Sequence, residues 1–215
     1  MKLKRTANAG VLLELDGVSI LLDGVCREVK PYPATPQKER ELLSACWPDV
    51  VAYTHAHKDH YDPAYVAEYT RQTGRAILGP DGSGGVRGTM ETVCFNNVTV
   101  MPVSCRHIGL AGKDTPHCGF VIEGSKVIWF TGDSSPLQWK NREDLPEPDY
   151  MIVPYAFVNS SSSWTFTKSK EATVVLLHMP PKDSDSSGLW DAVERTVGDL
   201  SEICIPEMSE NVVFD

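Results

Sequence analysis

Thr54-His55-Ala56-His57-Lys58-Asp59-His60 decides the reading of this chain. Three of its six histidines and an aspartate fall within this stretch, directly behind the apolar run Val50-Val51-Ala52-Tyr53. Imidazole nitrogen and carboxylate oxygen are the ligand types for Zn²⁺ and neighbouring divalent metals, and catalytic sites combine three such groups with a position left for water. On an extended backbone His55 and His57 project to one side, and a turn at Lys58 aims Asp59 and His60 at a second position nearby. The pattern therefore implies two adjacent metals. A polar loop whose histidines only hydrogen-bond is the competing reading, but clustered histidines at a strand end have few such uses.

Outward from the motif the chain alternates strand and helix. Upstream, two apolar runs, 10–15 and 18–23, flank Asp16-Gly17, a tight-turn signal that predicts a β-hairpin. Thr35-Pro36 reads as a helix start running to Ala45, and Asp62-Pro63 as another launching a helix over 64–71, with a short strand over 76–78 behind it. The glycine-rich tract 82–88 lacks the spacing of a phosphate cradle and reads as a loop. From Val93 the pattern is β-rich, predicting an antiparallel meander over 93–95, 98–103, 119–122 and 126–130. Further strands are expected over 150–154 and 173–177, a loop at Ser160–Ser163, a helix over 188–197 and a last strand near 212–214. Trp164 and Phe166, beside the serine run, are candidates for core packing or for an apolar lid over substrate.

The 215 residues are expected to form one domain, 1–215, with ample core. At 41% hydrophobic and 23% charged the composition excludes disorder and fibres. A net charge of −9 disfavours nucleic acid as a partner. No apolar run reaches the roughly 18 residues of a transmembrane span, so no membrane role and a cytoplasmic location are expected. Six scattered cysteines without a C-x-x-C pair read as reduced thiols, with Cys118 a core residue.

The motif His55-x-His57-x-Asp59-His60 resembles the signature of the metallo-β-lactamase superfamily, and the match continues in order over residues 8–213. It next calls for a lone histidine, for which both His107 and His117 are available. An aspartate should follow a strand, as Asp133 does in Val127-Ile-Trp-Phe-Thr-Gly-Asp133. A last histidine should end a late strand, as His178 does in Val174-Val-Leu-Leu-His178. The resemblance implies an α/β fold of four layers, an αββα sandwich. It also implies a dinuclear centre with His55, His57 and His107 on one ion, Asp59, His60 and His178 on the other, and Asp133 bridging them. His117 stands as the alternative ligand to His107, which is preferred on its interval from Gly119-Phe120.

Zinc is the first choice of metal, with manganese or iron as alternatives. A hydroxide shared by the ions would make the protein a hydrolase, with Asp59 orienting it. The diiron oxygen-reducing members of the superfamily carry glutamate where His57 stands, so hydrolysis is preferred to redox chemistry. The compact chain is most similar to a small lactonase-like group, implying a small-molecule ester, lactone or phosphoester as substrate; an oligomer is compatible with this. The alternatives are a phosphodiesterase or nuclease of the tRNA 3′-processing type, and a metal-binding module without catalysis. The loops 82–88, 108–116 and 160–167 are where the resemblance places specificity.

Overall fold

The computed structural model describes residues 1–81, 87–109 and 112–214. The chain opens with β1 (Lys2–Arg5), then β2 (Val11–Leu15) and β3 (Val18–Leu22), the hairpin turning at Asp16-Gly17 with both residues at positive φ. Helix α1 (Gln37–Ala45), β4 (Val50–Ala52), α2 (Pro63–Thr73), β5 (Ile77–Leu78) and β6 (Gly88–Thr89) follow. A meander of β7 (Val93–Phe95), β8 (Val98–Ser104), β9 (Cys118–Glu123) and β10 (Val127–Phe130) leads to β11 (Tyr150–Val153), α3 (Ser161–Ser169), β12 (Thr173–Leu176), α4 (Leu189–Val197) and β13 (Asn211–Val213). One sheet has the order β13-β1-β2-β3-β4-β5-β6 and the other β12-β11-β10-β9-β8-β7.

Alternation along the strands sorts the apolar residues into three cores. Leu13, Ile20 and Leu22 meet Phe120, Ile122 and Ile128 between the sheets. Leu21, Val51 and Tyr53, on the opposite face of the first sheet, pack on Leu43 of α1 and Tyr65, Val66 and Tyr69 of α2. On the outer face of the second sheet Trp129, Met151 and Leu176 pack on Trp164 and Phe166 of α3 and Val193 and Val197 of α4. This is the αββα order that the resemblance implied.

Three local expectations are corrected. Thr35 is not the cap of α1: it is buried, and its hydroxyl accepts the Cys26 N–H at 2.9 Å, so Pro36 takes the cap position. Ser160–Ser163 is no loop but the start of α3, where the Ser160 hydroxyl accepts the Ser163 N–H and tertiary burial of the helix's aromatics outweighs the weak helix preference of serine. Trp164 and Phe166 are therefore core residues, each 8% exposed, and the lid alternative falls. Of the expected glycine-rich loop, residues 82–86 lie outside the described residues, while Gly88 pairs in β6. No helix among the described residues is long and apolar enough to cross a membrane.

Candidate metal centre

All the motif residues gather at one edge of the sandwich. β3 and β4 run parallel, as do β10, β11 and β12, and the residues following their carboxyl ends converge there. Asp23 follows β3, Thr54 to His60 follow β4, Asp133 follows β10 and His178 follows β12, while His107 leaves β8. The turn holding the motif is fixed from behind by α2: Asp62 accepts the Ala64 and Tyr65 N–H groups at 2.9 and 3.3 Å and pairs with Arg40, and Pro63 opens the helix.

His55, His57 and His107 each offer one nitrogen, all within 4.8 Å of one another. Asp59, His60 and His178 form a second such group, and His55, His60 and Asp133 a third lying across the two. Asp133 Oδ2 stands 3.4 Å from His60 Nε2, 3.6 Å from His107 Nε2 and 3.4 Å from His178 Nε2, so it faces both halves. Asp59 Oδ2 is 3.4 Å from His178 Nε2 and 4.0 Å from His60 Nε2.

These donors fit a metal by a test internal to the protein. His55 Nδ1–H donates to the Thr54 hydroxyl (2.9 Å), His60 Nδ1–H to Asp23 (2.8 Å) and His107 Nδ1–H to the Ile108 carbonyl (2.6 Å), which leaves Nε2 of each ring as the nitrogen available to a cation. Each of those Nε2 atoms is buried without a hydrogen-bond partner among the described residues, as are both nitrogens of His178. An unsatisfied buried polar atom costs roughly 1–3 kcal/mol. Several collected at one point form a standing cost that a bound cation would remove. His57 spends Nε2 on the Thr115 hydroxyl at 3.3 Å, leaving Nδ1 for a ligand role.

No protein-family model matches the chain, and no curated protein matches it by sequence. Solved structures do. A metallo-β-lactamase fold protein from Bacillus subtilis is similar over 99% of both chains at 14% identity and a TM-score of 0.61. This chain has the metallo-β-lactamase fold. A possible metal-dependent hydrolase from Veillonella parvula DSM 2008 covers 100% of this chain and 99% of its own at 16% identity, with a TM-score of 0.71. An isothiocyanate hydrolase from Delia radicum gut bacteria covers the same shares at 19% identity, with a TM-score of 0.70.

Within the metallo-β-lactamase fold, burial tunes each group. His55 is held well below the usual histidine range by burial, then by His60; His57 is lowered by burial, then by His107. Both are neutral and ready to bind a cation. At His60 burial opposes charge, yet Asp133 and Asp23 outweigh it and raise the group well above its ordinary value. Burial likewise opposes the Asp133 carboxylate, which His178 and His60 nonetheless hold well below its usual range. At Asp59 the penalty of burial is outweighed by the neighbouring imidazoles of His178 and His60.

Asp23 was not legible as a site residue; the sequence offered only a carboxylate closing an apolar strand. It is fully buried, accepts the Thr54 N–H and hydroxyl at 2.8 and 2.7 Å as well as His60, and burial raises its pKa. One carboxylate thus orients His60 directly and His55 through Thr54. Asp23 and His178 both have positive φ, 47° and 57°, a strained conformation for such residues that the surrounding contacts hold in place.

Between the two candidates for the third histidine the structure brings His107, not His117, to His55 and His57. His117 is buried beside them, its ring centroid 5.1 Å from that of His55, and its Nδ1 lies 3.2 Å from Cys105 Sγ. Burial pushes its pKa down to about 3, and its Nε2 has no hydrogen-bond partner among the described residues. Gly132, at φ 52°, makes this closeness feasible: a Cβ there would stand 2.6 Å from Thr54 Cγ2 and 2.9 Å from His117 Nε2. Cys118 is a fully buried core residue, as expected.

Proposed function

We propose that the protein is a metal-dependent hydrolase in which His55, His57 and His107 hold one divalent ion, Asp59, His60 and His178 a second, and Asp133 both. The observation that carries this is the convergence of unpartnered, buried imidazole nitrogens on two carboxylates held in ionised form. Zinc suits the mixed imidazole and carboxylate set, and manganese or iron fit the same donors. Two such ions would lower the pKa of a water between them and polarise the bond to be cleaved.

The chain's own residues do the rest. Asp59, ionised and only partly buried, accepts a hydrogen bond from the attacking water and orients it. Asp23 and Thr54 fix the ring orientations of His60 and His55, so that the donors need no rearrangement. The substrate in this reading is a small ester, lactone or phosphoester; the neighbour named isothiocyanate hydrolase adds a small electrophilic carbon to the classes worth testing. The reading takes residues 1–215 as one hydrolase domain, supported by the pairing of β13 with β1, and a cytoplasmic location, supported by cysteines without paired spacing.

Protein purified without chelator should carry two divalent ions per chain by elemental analysis. It should hydrolyse members of a panel of lactones, thioesters and bis(p-nitrophenyl) phosphate, with activity lost in EDTA. No bound metal, and none taken up from zinc or manganese, would overturn the reading. Full metal loading with no turnover on any member would favour a binding module instead.

A further inference from the structure

Two aromatic side chains stand over the centre with nothing yet assigned to them. Tyr32, from the loop after β3, sets its ring edge-on against His178, centroids 4.7 Å apart and planes at 78°. Tyr155 follows β11 and approaches the same imidazole from the other sheet, at 6.4 Å and 68°. Each residue is half-buried, and neither hydroxyl hydrogen-bonds to another group among the described residues. A phenol placed in a polar cleft without a partner has its donor free for a ligand. Burial raises the pKa of both; at Tyr32 the neighbouring Tyr155, Asp133, Asp59 and Asp185 add to it, and at Tyr155 Asp133 does. Both phenols lie within electrostatic reach of the carboxylate shared by the two halves.

The two side chains that stand against His178 are uncharged phenols. A phosphate ester brings its negative charge into the ground state, which suits guanidinium or ammonium groups better than neutral donors. A carbon ester arrives neutral and gains negative charge on its carbonyl oxygen only as water adds. Neutral donors aimed at that oxygen stabilise the developing charge without needing a cation.

We propose that Tyr32 and Tyr155 are the hydrogen-bond donors to the substrate's carbonyl oxygen on the His178 side of the centre, and that the substrate is an uncharged carboxylic ester or lactone rather than a phosphate ester. The proposal rests on the dinuclear hydrolase reading and narrows it. Water adds to the carbonyl carbon, the bond from that carbon to the leaving oxygen breaks, and the leaving alkoxide departs with a proton from the water.

The test compares wild type with Tyr32→Phe, Tyr155→Phe and the double variant, each loaded with zinc. Three quantities are measured: metal content, binding of phenylboronic acid by calorimetry, and hydrolysis of p-nitrophenyl acetate against bis(p-nitrophenyl) phosphate. Phenylboronic acid becomes a tetrahedral anion on accepting a water oxygen and so probes the donors independently of turnover. All variants should keep two ions, each single change should weaken phenylboronate binding and slow ester turnover roughly 10- to 100-fold, and wild type should favour the carboxylic ester. Unchanged phenylboronate affinity in the double variant would overturn the tyrosine assignment, and faster turnover of the phosphodiester would overturn the substrate class. Wild type without bound metal would instead sink the dinuclear reading on which both stand.

Discussion

The two halves of the centre are built differently. The half around His55, His57 and His107 is clamped: each ring has one nitrogen engaged, by Thr54, Thr115 and the Ile108 carbonyl. Among the described residues, the half around Asp59, His60 and His178 is clamped only at His60, through Asp23, while both nitrogens of His178 lack hydrogen-bond partners. His178 is positioned instead by its backbone, whose N–H donates to the Asn8 carbonyl at 3.3 Å with φ at 57°, and by the ring of Tyr32. One half is preorganised by side-chain hydrogen bonds and the other by strained backbone and packing, so the second should be the looser and the first to lose its ion.

The strongest way to break the comparison is to remove what both halves share. Asp133→Ala should lose both ions and nearly all activity, read by elemental analysis and turnover; retention of two ions would remove its bridging role. Asp59→Asn should lower turnover by orders of magnitude with the fold intact, whereas Lys58→Ala, which changes an exposed side chain between the ligands, should matter far less. Equal effects would show that Asp59 does not orient the water.

Next in size are the single ligands. His107→Ala and His178→Ala should each cost one ion, and stepwise chelation of wild type should remove the ion of the His178 half first. His117→Ala should keep both ions and weaken binding about 10-fold, as for a supporting group. Asp23→Asn sharpens the contrast because one carboxylate serves both halves: a loss of about 10- to 100-fold in affinity at both ions is expected.

A smaller effect is the pH dependence. In the metal-free protein Asp133 and Asp23 hold a proton on His60, so ion uptake by that half should release about one proton per chain at neutral pH, and its affinity should rise with pH. A titration in weak buffer that releases none would contradict this. The raised pKa of His60 also stabilises the metal-free fold fully below the unfolded value of about 6.5, and that contribution is lost as pH rises through the folded value. His55 acts oppositely, since its lowered pKa costs stability as pH falls below about 6.5. Smallest is Asp62→Ala, which removes the cap of α2 and should lower unfolding stability by roughly 1–2 kcal/mol in urea.

Much of this was legible from the sequence because the decisive candidate ligands are contiguous. Four of them lie between His55 and His60, and a strand running into a turn needs no distant information to bring them together. The strand pattern was equally plain, since apolar alternation reports which faces are buried, and the three cores follow from it. What serine and proline did locally was less plain: Ser160–Ser163 entered a helix because Trp164 and Phe166 pack on the second sheet, a tertiary gain invisible in the run itself.

Only the tertiary structure separates His107 from His117, by grouping the nitrogen of His107 with those of His55 and His57. Both flank the same strand pair, and which imidazole nitrogen arrives beside His55 depends on the β8–β9 register and on the path of the chain between them. The same holds for Asp23, 31 residues from Thr54 and 37 from His60 in sequence. It holds too for Tyr32, which meets the imidazole of His178 from a distant part of the sequence. Sequence determines the ligand chemistry wherever neighbouring residues share one short element. The clamps and donors are assembled across strands, and their placement is fixed by packing between residues that no local pattern connects.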